Sequence, residues 1–232
     1  MKRVALSTKL GHGVSRALHY YADWRIGATL AEKQCHKQSD SILLTFDDYG
    51  DRRQITAILD VLAREEVKAV FFLESRWAEA HPELLALIQA AGHVIGNHTY
   101  SHPNLLKLSD RDIETEIKKG LPSQWLRAPM GRYNARVRAI ANRLGYQMCY
   151  WTIDSRDWKG TSEATMRHTI RSELAPGAVI LFHLHGRHTA AALPAIIRDI
   201  RATGYHLTAP AEDWAPQGAG DLAGAYVFEA KA

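Results

Sequence analysis

The sequence predicts an α/β fold, a parallel sheet with helices outside it, closed as a barrel or spread as a doubly wound sheet. Three observations predict it. From residue 41 onward, short apolar runs alternate with segments of helical periodicity, the pattern of repeated β-then-α units. The residues suited to chemistry (Asp47, Asp48, His98, His102, Arg127, Asp157 and His183) fall at or just after the ends of expected strands, the edge where parallel α/β folds place their sites. The length of 232 residues and hydrophobic content of 46% suit one sizeable core, and no internal repeat is present.

The elements follow in order. Ser41–Phe46 reads as a buried strand, and Ile55, Ile58, Leu59 and Leu62 then mark one face of a helix. Lys68–Leu73 is a second strand, rich in Val and Phe. Leu84, Leu87, Ile88 and Ala91 form a helical stripe that Gly92 stops, and residues 93–96 make a brief third strand. Asp110–Lys119 is a helix with Ser109 as its N-cap. Trp125–Ala128 is a strand, Ala135–Leu144 a helix stopped by Gly145, and Tyr146–Ile153 one continuous strand. Ser162–Leu174 is a helix, Ala178–His183 a strand, Ala191–Ala202 a helix, and Tyr205–Leu207 closes the series.

The flanks stand outside this rhythm. Residues 1–40 form an N-terminal extension to a domain over residues 41–208, and the Gly/Ala-rich stretch within 209–232 is a C-terminal tail. The extension carries seven Lys and Arg against three carboxylates, which accounts for the whole net charge of +4. That imbalance is too small for nucleic-acid binding, which needs a denser basic patch or a recognisable module. It leaves a peripheral contact with an anionic membrane surface as an expectation; no obligate protein partner is implied. No apolar run reaches the ~18 residues of a membrane span, and no leader with an apolar core and cleavage site is seen, so a cytoplasmic location is expected. Cys35 and Cys149 are too few for a disulfide framework and read as reduced structural thiols.

Three distant stretches carry the chemistry. Asp47-Asp48 sets paired carboxylates at the end of an apolar run; His98 and His102 place two imidazoles four residues apart; His183 ends another apolar run. Alone, each has a plain reading: a turn or helix cap, a chance pair in a chain with 12 His, a core histidine. Together they supply two His and one carboxylate, a common set for a catalytic divalent metal that keeps one position open for water. A carboxylate and a histidine are left over as base and acid. Pro103 biases His102 away from helical φ/ψ, which places the pair on a loop.

Here the sequence resembles the polysaccharide deacetylase family of carbohydrate esterases, the NodB-homology domain, over about residues 41–207. Five segments match the family's signatures in order: Thr45-Phe46-Asp47-Asp48, His98-Thr99-Tyr100-Ser101-His102-Pro103, Arg127-Ala128-Pro129-Met130-Gly131, Asp154-Ser155-Arg156-Asp157-Trp158 and Leu181-Phe182-His183. The resemblance implies a single distorted (β/α)7-type barrel and metal-dependent removal of N-acetyl groups from amino sugars of an oligosaccharide, polysaccharide or carrier-linked sugar. It makes Asp48, His98 and His102 ligands of one divalent ion, with Zn2+ the default and Co2+, Ni2+ or Fe2+ able to replace it. Asp47 becomes the general base and His183 the general acid. Arg127 positions Asp47, and Asp157 orients Arg127 or His183. The Met130 backbone N–H faces the oxyanion, and Trp158 and Leu181 line the groove. Tyr49 intervenes between the paired aspartates and Gly50, where the family usually has Gly at once, and reshapes the rim. His185 and His188 stand where an Asp often follows the acid, and read as rim residues or supports of the ligands. The rival reading is an amidohydrolase or deformylase of the same fold acting on a non-acetyl or non-sugar C–N bond; a silent glycan- or metal-binding protein would have lost Asp47 or His183.

Overall fold

Short apolar runs buried on both faces become parallel strands, because a parallel sheet needs helices over one face and packed side chains on the other. The structure, a computed structural model, describes residues 40–207. The expected extension and the tail from residue 209 on lie outside the described residues. Eight strands run β1 (Ser41–Asp48), β2 (Val70–Leu73), β3 (Val94–Asn97), β4 (Trp125–Leu126), β5 (Gln147–Met148), β6 (Ile153–Asp154), β7 (Val179–His183) and β8 (His206–Leu207). Between and after them lie α1 (Arg52–Arg64), α2 (Ser75–Ala80), α3 (Pro82–Ala90), α4 (Asp110–Lys118), α5 (Ala135–Arg143), α6 (Glu163–Glu173) and α7 (Thr189–Ala202). The sheet order is β5-β4-β3-β2-β1-β7-β6, with β8 added at the start of β1, and every pairing is parallel. This curled sheet is the distorted (β/α)7-type barrel.

Local chemistry explains where the helices begin and end. Asp51 caps α1, accepting from Gln54 N at 2.7 Å while the Gln54 side chain accepts from Asp51 N at 3.0 Å. Ser109 caps α4 through Asp112 N, as expected, and Ser162 caps α6 through Thr165 N. Gly92 and Gly145 follow α3 and α5 with φ of 72° and 85°, the left-handed stop that only glycine takes without strain.

The alternation of each strand divides the core. Ile42, Leu44 and Phe46 face the helices with Phe71, Ile180 and Phe182, while Leu43, Val70, Phe72, Val179 and Leu181 join Trp125, Tyr150 and Trp151 in a second cluster. Phe46 is the hub of the first, stacked at 5.0 Å on Phe71 and 5.5 Å on Phe182, its register partners on β2 and β7.

Two expectations are corrected. Residues 146–153 are not one strand. β5 pairs with β4 and β6 with β7, the two ends of the sheet order, and residues 149–152 cross between them. Cys149 N donates to Leu126 O and Thr152 N to Val179 O, so the crossing stays bonded to both edges while Tyr150 and Trp151 stack at 4.1 Å and stay buried. An apolar run cannot show where its hydrogen-bond partner changes. Cys149 is also disulfide-bonded rather than a reduced thiol. The chain's other cysteine, Cys35, lies outside the described residues. The short helix α2 was not expected from the sequence.

Truncating Phe46 to Ala removes the ring shared by three strands without touching the strand's other face. The cost expected is about 3–5 kcal/mol of unfolding free energy, measured by urea denaturation; a loss below about 1 kcal/mol would mean that the site closes up around the gap.

Candidate active site

The C-terminal edge of the sheet collects the chemistry because β1, β3 and β7 end on polar residues after apolar runs and β4 is followed at once by Arg127. Asp47 pairs in register with His183, and the backbone N–H of Arg127 donates to Asn97 O just before His98. Asp48 ends β1 in the left-handed region with φ of 73°, and Thr99 (66°), His102 (56°) and Met130 (58°) share that conformation around the same edge. For non-glycine residues this costs on the order of 1–3 kcal/mol each, and such strain gathers at functional sites.

Asp48, His98 and His102 form a compact triad whose ligand atoms all lie within 4.8 Å of one another. Asp48 Oδ1 is 3.2 Å from His98 Nε2 and 3.1 Å from His102 Nε2. His98 Nδ1 lies 2.8 Å from Arg127 O, an acceptor, so Nδ1 carries a proton and Nε2 is the nitrogen turned toward Asp48. Two imidazole nitrogens and one carboxylate oxygen fit a divalent cation. Burial pushes the Asp48 carboxyl up, but hydrogen bonds from His102 and His98 outweigh it and hold the group well below the usual carboxylate range. Burial pushes His102 down, and Asp48 more than offsets that, leaving it raised.

The loop that carries both histidines is held at several points. Asn97 Oδ1 accepts from Thr99 N at 2.7 Å, and its amide donates to Ile117 O at 3.0 Å. The Glu116 carboxylate accepts from Ser101 N at 2.9 Å and from Ser101 Oγ at 2.8 Å. Sequence reasoning assigned no part to Asn97, Glu116 or Thr45; the single signal for Thr45 was its place in the first signature segment.

Arg127 is completely buried, and its Cζ lies over the Phe72 ring, 4.1 Å from the centroid. Its Nη1 donates to Asp47 Oδ1 at 2.6 Å and to Thr45 Oγ1 at 2.8 Å, and its Nε to Cys149 O at 3.3 Å. Burial lowers the Arg127 pKa, opposed by the Asp47 charge. Asp47 Oδ2, the oxygen not bonded to Arg127, is 3.8 Å from His98 Nε2, so it fronts the triad.

Asp157 anchors His183, not Arg127. Its Oδ1 is 2.8 Å from His183 Nδ1, and its Oδ2 accepts from His183 N at 2.8 Å and Thr189 Oγ1 at 2.6 Å. A Cβ at Gly186 would come within 2.5 Å of Asp157 Oδ2, so this packing requires a glycine there. Burial pushes His183 down, but the Asp157 hydrogen bond and charge push it up to about 9, while Asp157 itself is lowered.

The remaining expected residues are more scattered. Tyr49, Met130 and Trp158 are exposed at the rim, whereas Leu181 is buried in the barrel interior under the site. Tyr49 stacks on His185 at 5.5 Å, and both line a cavity of about 500 Å³ with Trp77, His81 and Leu84. His188 precedes α7, half-buried, outside the triad.

A parallel barrel with two imidazoles, paired carboxylates and a carboxylate-held histidine on one edge defines the class of fold and site found in carbohydrate esterases. Residues 35–149 match the family model described as polysaccharide deacetylase. A peptidoglycan-N-acetylglucosamine deacetylase of Bacillus cereus is 35% identical over 176 residues, covering 70% of this chain and 64% of that protein. The peptidoglycan-N-acetylmuramic acid deacetylase PdaA of Bacillus subtilis is 32% identical, covering 71% and 68%. Among solved structures, wild-type BA3943 from Bacillus anthracis, a CE4 family pseudoenzyme, superposes with a TM-score of 0.70 at 28% identity, covering 73% of this chain and 63% of that one. The chain belongs to the polysaccharide deacetylase family. It spans just under two thirds of the length of the Bacillus cereus relative.

Two outcomes follow from the buried pairs. Replacing Arg127 by Met strands the Asp47 carboxylate and should cost about 3–5 kcal/mol; the double variant Arg127→Met, Asp47→Asn should regain much of that in urea unfolding, since no buried charge remains. Replacing Asp157 by Asn removes the nearest charge that raises His183 and leaves its burial opposed only by Asp47 and Asp48. The His183 imidazole, followed by NMR, should then titrate well below the wild-type value of about 9. The sign for stability follows: a raised histidine stabilises fully below 6.5 and loses that as pH rises through about 9, and a lowered Asp157 stabilises above 3.8. The wild-type advantage over Asp157→Asn should therefore peak between those values and shrink on both sides.

Proposed function

We propose that the protein is a metal-dependent N-deacetylase of amino sugars in an oligosaccharide, polysaccharide or carrier-linked sugar. The observation that carries this reading is the Asp48–His98–His102 triad flanked by Asp47 and His183, register partners on adjacent strands. Asp48 Oδ1 and the Nε2 atoms of His98 and His102 would hold the ion. A divalent cation there lowers the pKa of water and polarises the acyl oxygen. Asp47 takes the proton from the attacking water through Oδ2, because Arg127 occupies Oδ1. His183, kept protonated near neutral pH by Asp157, gives its proton to the departing amine. The Met130 backbone N–H supports the oxyanion, and exposed Trp158 and Tyr49 offer faces for sugar rings.

Several of the curated relatives are named for deacetylation of N-acetylated sugars, which supports the substrate class. The disulfide at Cys149 favours an oxidising compartment over the cytoplasm expected from sequence, and with it a substrate outside the cytoplasm. Among the described residues no helix is long and apolar enough to cross a membrane.

The test is acetate release from N-acetylglucosamine oligomers, before and after chelation and zinc replacement. Asp47→Asn should abolish turnover with bound metal nearly unchanged, whereas His98→Ala should lose both. Wild-type rates in Asp47→Asn would remove Asp47 as the base. Formate or ammonia in place of acetate, from other amides, would turn the assignment to the deformylase or amidohydrolase reading.

A further inference from the structure

The two oxygens of Asp48 are used unequally. Oδ1 groups with His98 and His102; Oδ2 faces another residue, His185, whose Nδ1 is 3.7 Å away. That Nδ1 is buried from solvent and has no hydrogen-bond partner among the described residues. A buried polar atom left unpaired costs about 1–3 kcal/mol, so its position needs a reason. The ring is not free to turn away. Tyr49 stacks on it at 5.5 Å, His183 lies against it at 5.4 Å, and Gln54 Nε2 holds the His185 carbonyl at 3.3 Å. Among the described residues His185 does not belong to the three-group cluster, so it sits beside the candidate ligand set rather than within it.

We infer that His185 is a positioning residue for Asp48: its Nδ1–H donates to Oδ2 and fixes the carboxylate so that Oδ1 faces His98 and His102. For that bond to form, the present separation of 3.7 Å must close to about 3.2 Å or less. Tyr49, the residue that separates the aspartate pair from Gly50, supplies the face on which His185 rests, so the two act as one support. The inference rests on the metal reading of the triad, and not on which amide the enzyme cleaves. A partner of this kind, holding a ligand by its free atom, typically contributes 10- to 100-fold in metal affinity, by orders of magnitude only.

The test is zinc affinity of the full chain, measured by competition with a chromophoric chelator for wild type, His185→Ala and His185→Asn. His185→Ala should bind about 10–100-fold more weakly, and His185→Asn should recover most of the loss, because the Asn amide nitrogen takes the place of Nδ1. Melting temperatures of the chelator-treated proteins should agree across the three, which separates positioning from packing. Equal affinity in His185→Ala, or an Asn variant as weak as the Ala variant, would overturn the inference. So would X-ray absorption showing one more imidazole on the zinc in wild type than in His185→Ala, which would make His185 a ligand. Wild type that takes up no zinc would overturn this and the metal reading together. The expected order of affinities without acetate release would uphold the positioning role and strike the reaction alone.

Discussion

The buried contact between Arg127 and Asp47 is the constraint on which the site depends. A guanidinium without exposure to water is tolerated only if its charge is met and its donors are used. Here Asp47, Thr45 and the Cys149 carbonyl meet them, and Phe72 offers its π face. Those partners come from β1, β2 and the crossing after β5, so the barrel interior has to close around this one side chain. The same residue reaches the triad by its backbone, since the Arg127 carbonyl accepts from His98 Nδ1. One arginine thus fixes both the candidate base and the orientation of one candidate ligand.

The second anchor stands on the other side of β1. Asp157 receives donors from His183, Thr189 and the Trp158 backbone, which leaves its carboxylate saturated and ionised. The imidazole it holds is pushed up to about 9 against the effect of burial. Two carboxylates therefore do opposite work within one edge: Asp157 spends both oxygens on fixing a neighbour, while Asp47 keeps one oxygen toward the triad. Environment, not residue type, separates them.

Much of this was legible in the sequence. The strand ends, the helix stops at Gly92 and Gly145, and the cap at Ser109 are local signals, and local chemistry decides them. Residue types after apolar runs offered two His and one carboxylate, and the family resemblance singled out Asp48, His98 and His102, which the structure groups together. Arg127 beside Asp47 was expected through the family resemblance, but its total burial was not, because nothing near residue 127 in sequence shows that Phe72 and Trp151 lie against it.

What the sequence by itself determined is most of the succession of strands and helices and the types of reactive residue at the strand ends. Periodicity and capping act over a few residues, so one chain carries them openly. The tertiary structure alone decided that residues 146–153 leave one end of the sheet order and join the other, that Asp157 serves His183, and that His185 faces the second oxygen of Asp48. Those outcomes join positions between 26 and 137 residues apart, as with Asp157 to His183 and Asp48 to His185. They depend on how strands meet and side chains pack after the chain has closed, and no short stretch of sequence holds that information.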